Sequence, residues 1–326
     1  MKKKYVVLSI ITLVLLIAFV TSFNYFKTTN AYIDDSVNNQ TKITKGISMN
    51  LEQTAGAGDY KQVTQSSWPT EGYKFNAELS KCENGGEISW DDTKKAVIVS
   101  GNLSDKCYVY FDIYQPTLAE YIKSQYTGTQ GENSLYYHNS SLTNGAGDNS
   151  YRYAGASDSV NNYICLGSDE ATCPDANLFR IIGVFGDKTK VIRAKSVGYK
   201  EWHTSRVNTW SSSSLNTYLN GEYLTSLGTL ADKIATTTWK VGGVTYENIV
   251  TSVPKTAYQY EVGSSASTTT VNKKIGLMYV SDYGFAADQS AWTTELGSYN
   301  SNTSKNWLYL RHTEWTISRR SDISDN

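Results

Sequence analysis

LFRIIGVFGDKTKVIRA, residues 178–194, is the stretch on which the fold turns. Two runs rich in β-branched residues flank Gly186-Asp187-Lys188-Thr189, and that combination predicts a β-hairpin. Downstream, NTWSSSSLNTYLNGEYLTSL (208–227) changes period. Ser211 to Ser214 offer an N-cap, Leu215, Tyr218 and Leu219 fall at i, i+3 and i+4, and Asn220-Gly221 supplies a stop, so a short helix is expected. Its apolar face is expected to pack on the hairpin. IGLMYVSDYG (275–284) then reads as a buried strand followed by a turn. Residues 151–326 are therefore expected to form an α+β domain.

Toward the N-terminus, GYKFNAEL (72–79), EISW (87–90), KAVIVSG (95–101) and CYVYFDI (107–113) read as short strands separated by turns such as Asn84-Gly85-Gly86 and Asp91-Asp92-Thr93. In CYVYFDI, Tyr108, Tyr110 and Asp112 share one face, while Val109, Phe111 and Ile113 share the other. Residues 46–115 thus predict a small antiparallel β module. Residues 116–150 read as a helix opened by Pro116 and then a Gly/Asn/Ser-rich linker.

Between Lys4 and Lys27 lie 22 consecutive uncharged residues. As a helix they reach roughly 33 Å, the thickness of a hydrocarbon layer, so 5–26 is expected to be a transmembrane helix. Lys2, Lys3 and Lys4 place residues 1–4 in the cytoplasm, leaving 27–45 as a polar stalk and the rest outside. A cleaved signal peptide is the rival, with Thr29-Asn30-Ala31 as a loose cleavage site. A prepilin leader lacks its Gly before the apolar run and its Glu just inside. The expected location is the cell membrane, single-pass, with the C-terminal domains extracellular.

The exported part holds 26 basic against 31 acidic side chains, which argues against a nucleic-acid partner. The 25 tyrosines suit sheet surfaces and recognition faces alike. Four cysteines in an exported chain point to disulfides, with three connectivities open. Each local pair has a strand-like run beside it, so Cys82 is expected to join Cys107, and Cys165 to join Cys173. Loop closure then contributes about 3.5 and 2.6 kcal/mol. A zinc site would need far shorter cysteine spacing, and His138, His203 and His312 are the only imidazoles.

No G-x-S-x-G elbow, H-E-x-x-H helix or Gly-rich phosphate loop occurs, so no catalytic residue, metal or cofactor is expected, and no enzyme. Asp91-Asp92, Asp169-Glu170 and Glu314 read as solvated turn acids rather than glycosidase carboxylates. Asn144-Gly145-Ala146-Gly147-Asp148 lacks the carboxylates of a calcium loop. Among the tryptophans of the distal half, Trp202, Trp210, Trp292, Trp307 and Trp315 draw attention, several of them beside Ser, Thr, Arg or Asn. Trp210 and Trp307 are read as core. Trp202 and His203 follow Gly198 and Tyr199 in a polar loop and are the candidate ligand-binding pair, since sugar sites combine an aromatic platform with fixed polar groups. Arg319-Arg320 reads as a solvated tail, with an anionic contact as its functional alternative.

The run SKCENGGEISWDDTKKAVIVSGNLSDKCYVYFD (80–112), preceded by SSWPTEGYKFN, resembles a module that follows an N-terminal anchor in many Firmicutes surface proteins. The distal half resembles a bacterial extracellular module of unknown function through Phe179, Arg180, Val191, Arg193, Trp210, Ser213, Leu215, Leu219, Asn220, Gly221, Tyr223, Leu224, Trp307 and Leu308. That resemblance implies a C-type-lectin-like or formylglycine-generating-enzyme-like fold. Related chains continue past a segment like WTISRRSDISDN (315–326) into a strand with Val-Arg-Pro, so a C-terminal truncation is expected. The combined expectation is a membrane-anchored surface protein that binds a glycan or cell-envelope ligand; the alternatives are an envelope spacer with no small ligand and, third, an enzyme.

Overall fold

The computed structural model describes residues 46–64, 67–69, 71–101, 105–299, 305–309 and 314–320, together with the backbone of a two-residue strand, Thr29–Asn30, paired with Ser67–Trp68. The chain divides between Pro116 and Thr117 into two compact units.

In the first unit, β1 (Ile47–Glu52), β2 (Tyr60–Val63), β3 (Tyr73–Cys82) and β6 (Cys107–Ile113) form one sheet in the order β2-β1-β6-β3. β4 (Glu87–Asp91) and β5 (Ala96–Ser100) make a separate hairpin. The alternation of CYVYFDI is realised: Cys107, Val109 and Phe111 are buried, and Phe111 packs against Trp68, Phe75 and Trp90. The expected all-antiparallel sheet is corrected, because β1 runs parallel to β6, from Ile47 opposite Cys107 to Leu51 opposite Phe111. β1 carries Met49 and Leu51 into the core, which gives this polar-looking segment its place in the sheet. Cys82 and Cys107 sit opposite each other in the β3–β6 ladder and are joined by a disulfide.

The second unit opens with α1 (Leu118–Ser124), capped by a reciprocal Thr117–Glu120 pair that satisfies the first free N–H groups. Ala119, Ile122 and Leu135 enter the unit's main core, so part of the stretch read as a linker is core. The sheet is built on β10 (Leu178–Phe185). One edge pairs with β11 (Lys188–Arg193), as the hairpin predicts. The other is shared by β9 (Tyr163–Cys165) and β8 (Tyr151–Tyr153), and β8 also pairs β7 (Leu135–Tyr137). At Gly183 a Cβ would strike the Tyr151 carbonyl, so only glycine lets β8 approach there. Cys165 and Cys173 form the second disulfide.

Two local expectations are corrected. The helix beginning at Ser214 does not stop at Asn220-Gly221 but runs through a π turn (Leu219–Tyr223) to Ser226. Asn220 is spent elsewhere: its amide donates to the Ile275 carbonyl at 2.8 Å and accepts from the Ile275 N–H at 3.0 Å. Leu215 and Leu219 pack with Trp210, Val241, Tyr279 and Ile317 rather than on the hairpin. Within 275–284, Val280–Ala286 is helix (α2), because Asp282 accepts the Tyr279 N–H while the Glu261 carboxylate accepts those of Val280 and Ser281. These carboxylates satisfy donors that a strand would have left to a neighbour.

The fold class headed by a transmembrane helix is likewise corrected. Among the described residues no helix is long and apolar enough to cross a membrane. The expected span 5–26 lies outside them, as does the stalk 27–45 apart from Thr29–Asn30. In place of the anchored, antiparallel and lectin-like description stand a mixed sheet, a second antiparallel sheet with short helices, and two disulfides.

Candidate functional site

The second unit presents an aromatic shelf built by two segments that lie side by side. The loop 199–208 is tied at one end by the Trp315 indole N–H, which donates to the Lys200 carbonyl at 2.9 Å. At the other end the Asn208 amide donates to the Arg320 carbonyl at 2.6 Å. The segment 315–320 is itself pinned: Ile317 is fully buried, its N–H donates to the Met278 carbonyl at 3.0 Å, and the Val244 N–H donates to the Arg319 carbonyl at 3.0 Å. A hydrogen-bonded strap, not a solvated tail, therefore carries the Arg319-Arg320 doublet.

Trp202 sits half-buried between Trp210 and Trp315, with ring centroids 5.4 and 5.7 Å away. Trp210 is fully buried and forms the back of the stack, whereas Trp315 is 52% and Tyr199 97% exposed. Lys200 places its ammonium 3.9 Å from the Tyr218 ring centroid, a cation–π contact that steadies both side chains. His203 closes a turn, its Nδ1 accepting from the Ser205 N–H at 2.9 Å. The Trp202 and Trp210 indole N–H groups are buried and find no acceptor among the described residues. The predicted pair is thus split in character: Trp202 is the middle of a ring stack and His203 is a loop-closing residue. Of the exposed rings, Trp315 stands against Trp202, while Tyr199 lies three residues before Trp202 on the loop. Trp315 stood in the sequence as one tryptophan among several; only the fold shows that it joins Trp202.

A second cluster lies inside the same unit and no sequence signal marked it. Arg152, 2% exposed, donates to Asp148 at 2.7 Å and to Ser150 Oγ at 2.8 Å, and reaches Asp282 at 3.5 Å. Lys190 binds the other Asp282 oxygen. The guanidinium lies against the rings of Phe185, Phe285 and Tyr258. Burial works against the Asp148 carboxylate, yet the Arg152 charge and Ser150 hydrogen bonds outweigh it and hold the group below its usual range. Tyr258 is pushed up to about 12, first by burial and then by Asp148. His138 is fully buried and pushed well below its ordinary value, first by burial and then by the Arg152 charge. Its Nδ1 accepts the Ala146 N–H at 3.0 Å, which fixes the neutral Nε2–H tautomer. Arg152 on β8 and Lys190 on β11 both pair with Asp282 on α2, so this cluster ties α2 to the sheet, while the buried Nε2 of His138 finds no partner among the described residues.

The acids weighed as glycosidase candidates do not converge. Asp91 accepts from the Thr93 and Lys94 N–H groups in a turn, and Asp169 and Glu170 are exposed in another. Trp210, Trp292 and Trp307 are fully buried. Among the described residues the one grouping with metal-ligand proximity is Cys82, Asp105 and Cys107. Its sulfurs are bonded to each other, and the carboxylate accepts from Asn84 and Gly86 N–H groups, so nothing there is left for a cation. No family model matches this chain, and neither a curated protein nor a solved structure matches it.

Proposed function

We propose that this is an exported binding protein whose second unit holds a glycan or cell-envelope saccharide on the aromatic shelf formed by Tyr199, Trp202 and Trp315. The observation that carries the reading is Trp315: an indole left 52% exposed although its N–H is fixed to the Lys200 carbonyl. A large ring held rigidly at the surface loses little conformational freedom on contact, and sugar C–H faces stack on such rings. Neighbouring exposed hydroxyl groups, Thr204 and Ser205, supply polar partners along the same loop. Two disulfides support a working place outside the reducing cytoplasm.

A glycan array probed with the full chain and with Trp315→Ala tests this. The expected result is a set of saccharides bound by the native protein and lost in the variant while its melting temperature holds. Binding that survives in Trp315→Ala, or a native protein that binds nothing, refutes the reading and favours an envelope spacer.

A further inference from the structure

We propose that Lys190 and Asp282 condense into a side-chain amide, a covalent cross-link between strand β11 and helix α2 that is independent of what the shelf binds. The two groups are in direct contact, the Lys190 ammonium against Oδ2 of Asp282, and their side chains are 17% and 3% exposed. The Lys94–Asp91, Lys95–Asp92, Lys188–Asp187 and Lys195–Asp175 pairs each keep at least one partner open to water. Rings enclose the Lys190 amine: its Nζ lies 4.7 Å from the Tyr279 centroid, 5.3 Å from Trp239 and 5.9 Å from Phe185.

The carboxyl group is held as firmly as the amine. The Tyr279 N–H donates to Oδ2 at 2.9 Å as part of the cap that starts α2, and Arg152 Nη1 reaches Oδ1 at 3.5 Å. Reacting groups fixed side by side behave as if at about 10⁵ to 10⁸ M, which favours a condensation that dilute amines and acids do not undergo. Loss of charge favours it too. Amide formation removes one buried charge of each sign and leaves Arg152 with Asp148, 2.7 Å away.

The step needs no co-reactant. One ammonium proton passes to Oδ2 across the contact, which leaves a neutral amine. Its lone pair attacks Cγ and forms the C–N bond, while the carbonyl electron pair moves onto Oδ1, where the Arg152 guanidinium stabilises the charge. A second proton passes from nitrogen to Oδ2, the Cγ–Oδ2 bond breaks, and one water leaves as Oδ1 regains its double bond. Nothing is oxidised or reduced. The product joins residues 92 apart, whereas the Cys165–Cys173 disulfide of the same unit spans 8. It therefore keeps α2 on the sheet under pull or partial proteolysis.

The test is a peptide map of the purified full chain after reduction. The expected result is a branched peptide that joins Lys190 to Asp282 and is lighter by one water than its two arms, with trypsin no longer cutting after Lys190. Lys190→Arg keeps a cation beside Asp282 but should restore the lost water and yield linear peptides only. Lys195→Arg should leave the branch in place. Linear peptides from the native chain, or a branch through another lysine, overturn the inference, and so does a branch that forms equally in chain held unfolded in urea. If Lys190→Arg does not fold, the native map alone decides.

Discussion

Trp315 donates its indole N–H to the carbonyl of Lys200 at 2.9 Å, across 115 residues of chain, and stacks beside Trp202 on the loop it anchors. One ring of this pair is half-buried and the other open, so truncation separates structure from recognition. Trp202→Ala removes the middle of the stack and should cost about 2 kcal/mol. Trp315→Ala should stay within about 1 kcal/mol of the native protein. Urea titrations of both variants check this, and a Trp315→Ala loss as large as that of Trp202→Ala would show that the strap, not the ligand, needs the ring.

Acid stability should be governed first by His138. Its folded-state value lies well below the ordinary 6.5, so the unfolded chain binds the extra proton as pH falls through that value. Stability is therefore full above 6.5 and declines below it, by up to about 1.4 kcal/mol per pH unit. The charged groups facing the imidazole are Arg152, which opposes protonation, and Asp148, which favours it. His138→Asn, which keeps an acceptor for the Ala146 N–H and does not titrate, should flatten the urea midpoint between pH 7 and 5.

Removing Arg152 alone leaves Asp148 without its ion-pair partner and leaves Asp282 with Lys190 only. Arg152→Ala should cost about 3 to 5 kcal/mol. A milder loss for Arg152→Ala with Asp148→Ala together, read by calorimetry, would show that the stranded carboxylate carries most of the penalty.

The disulfides should differ in effect. Loop-closure entropy assigns about 3.5 kcal/mol to Cys82–Cys107, which spans 25 residues, and about 2.6 kcal/mol to Cys165–Cys173, which spans 8. Reduction should lower the thermal midpoint of the first unit more than that of the second, because the first has the smaller core. Serine replacement of each pair, followed by calorimetry, resolves the two transitions.

Periodicity made the 178–193 hairpin, the buried face of CYVYFDI and both cysteine pairings legible, because each is a local pattern or a short loop. It failed where a side chain serves a distant segment. Asn220 looks like a helix stop until its amide is seen holding Ile275, and SDYG looks like a strand end until Asp282 and the remote Glu261 cap it. β1 was missed because its five-rung partner lies 60 residues away. The same reason hid Trp315: a site made by two segments more than 100 residues apart has no spacing to read.

In the first unit the opening strand β1 and the closing strand β6 lie parallel and in register over five pairs. Tension applied at the start of β1 and the end of β6 pulls these strands along their length in opposite directions. All five rungs then resist together in shear instead of unzipping one by one, and the Cys82–Cys107 bond keeps β3 fastened to the same strand. A module joined in this way is suited to transmit pull from its neighbours without coming apart.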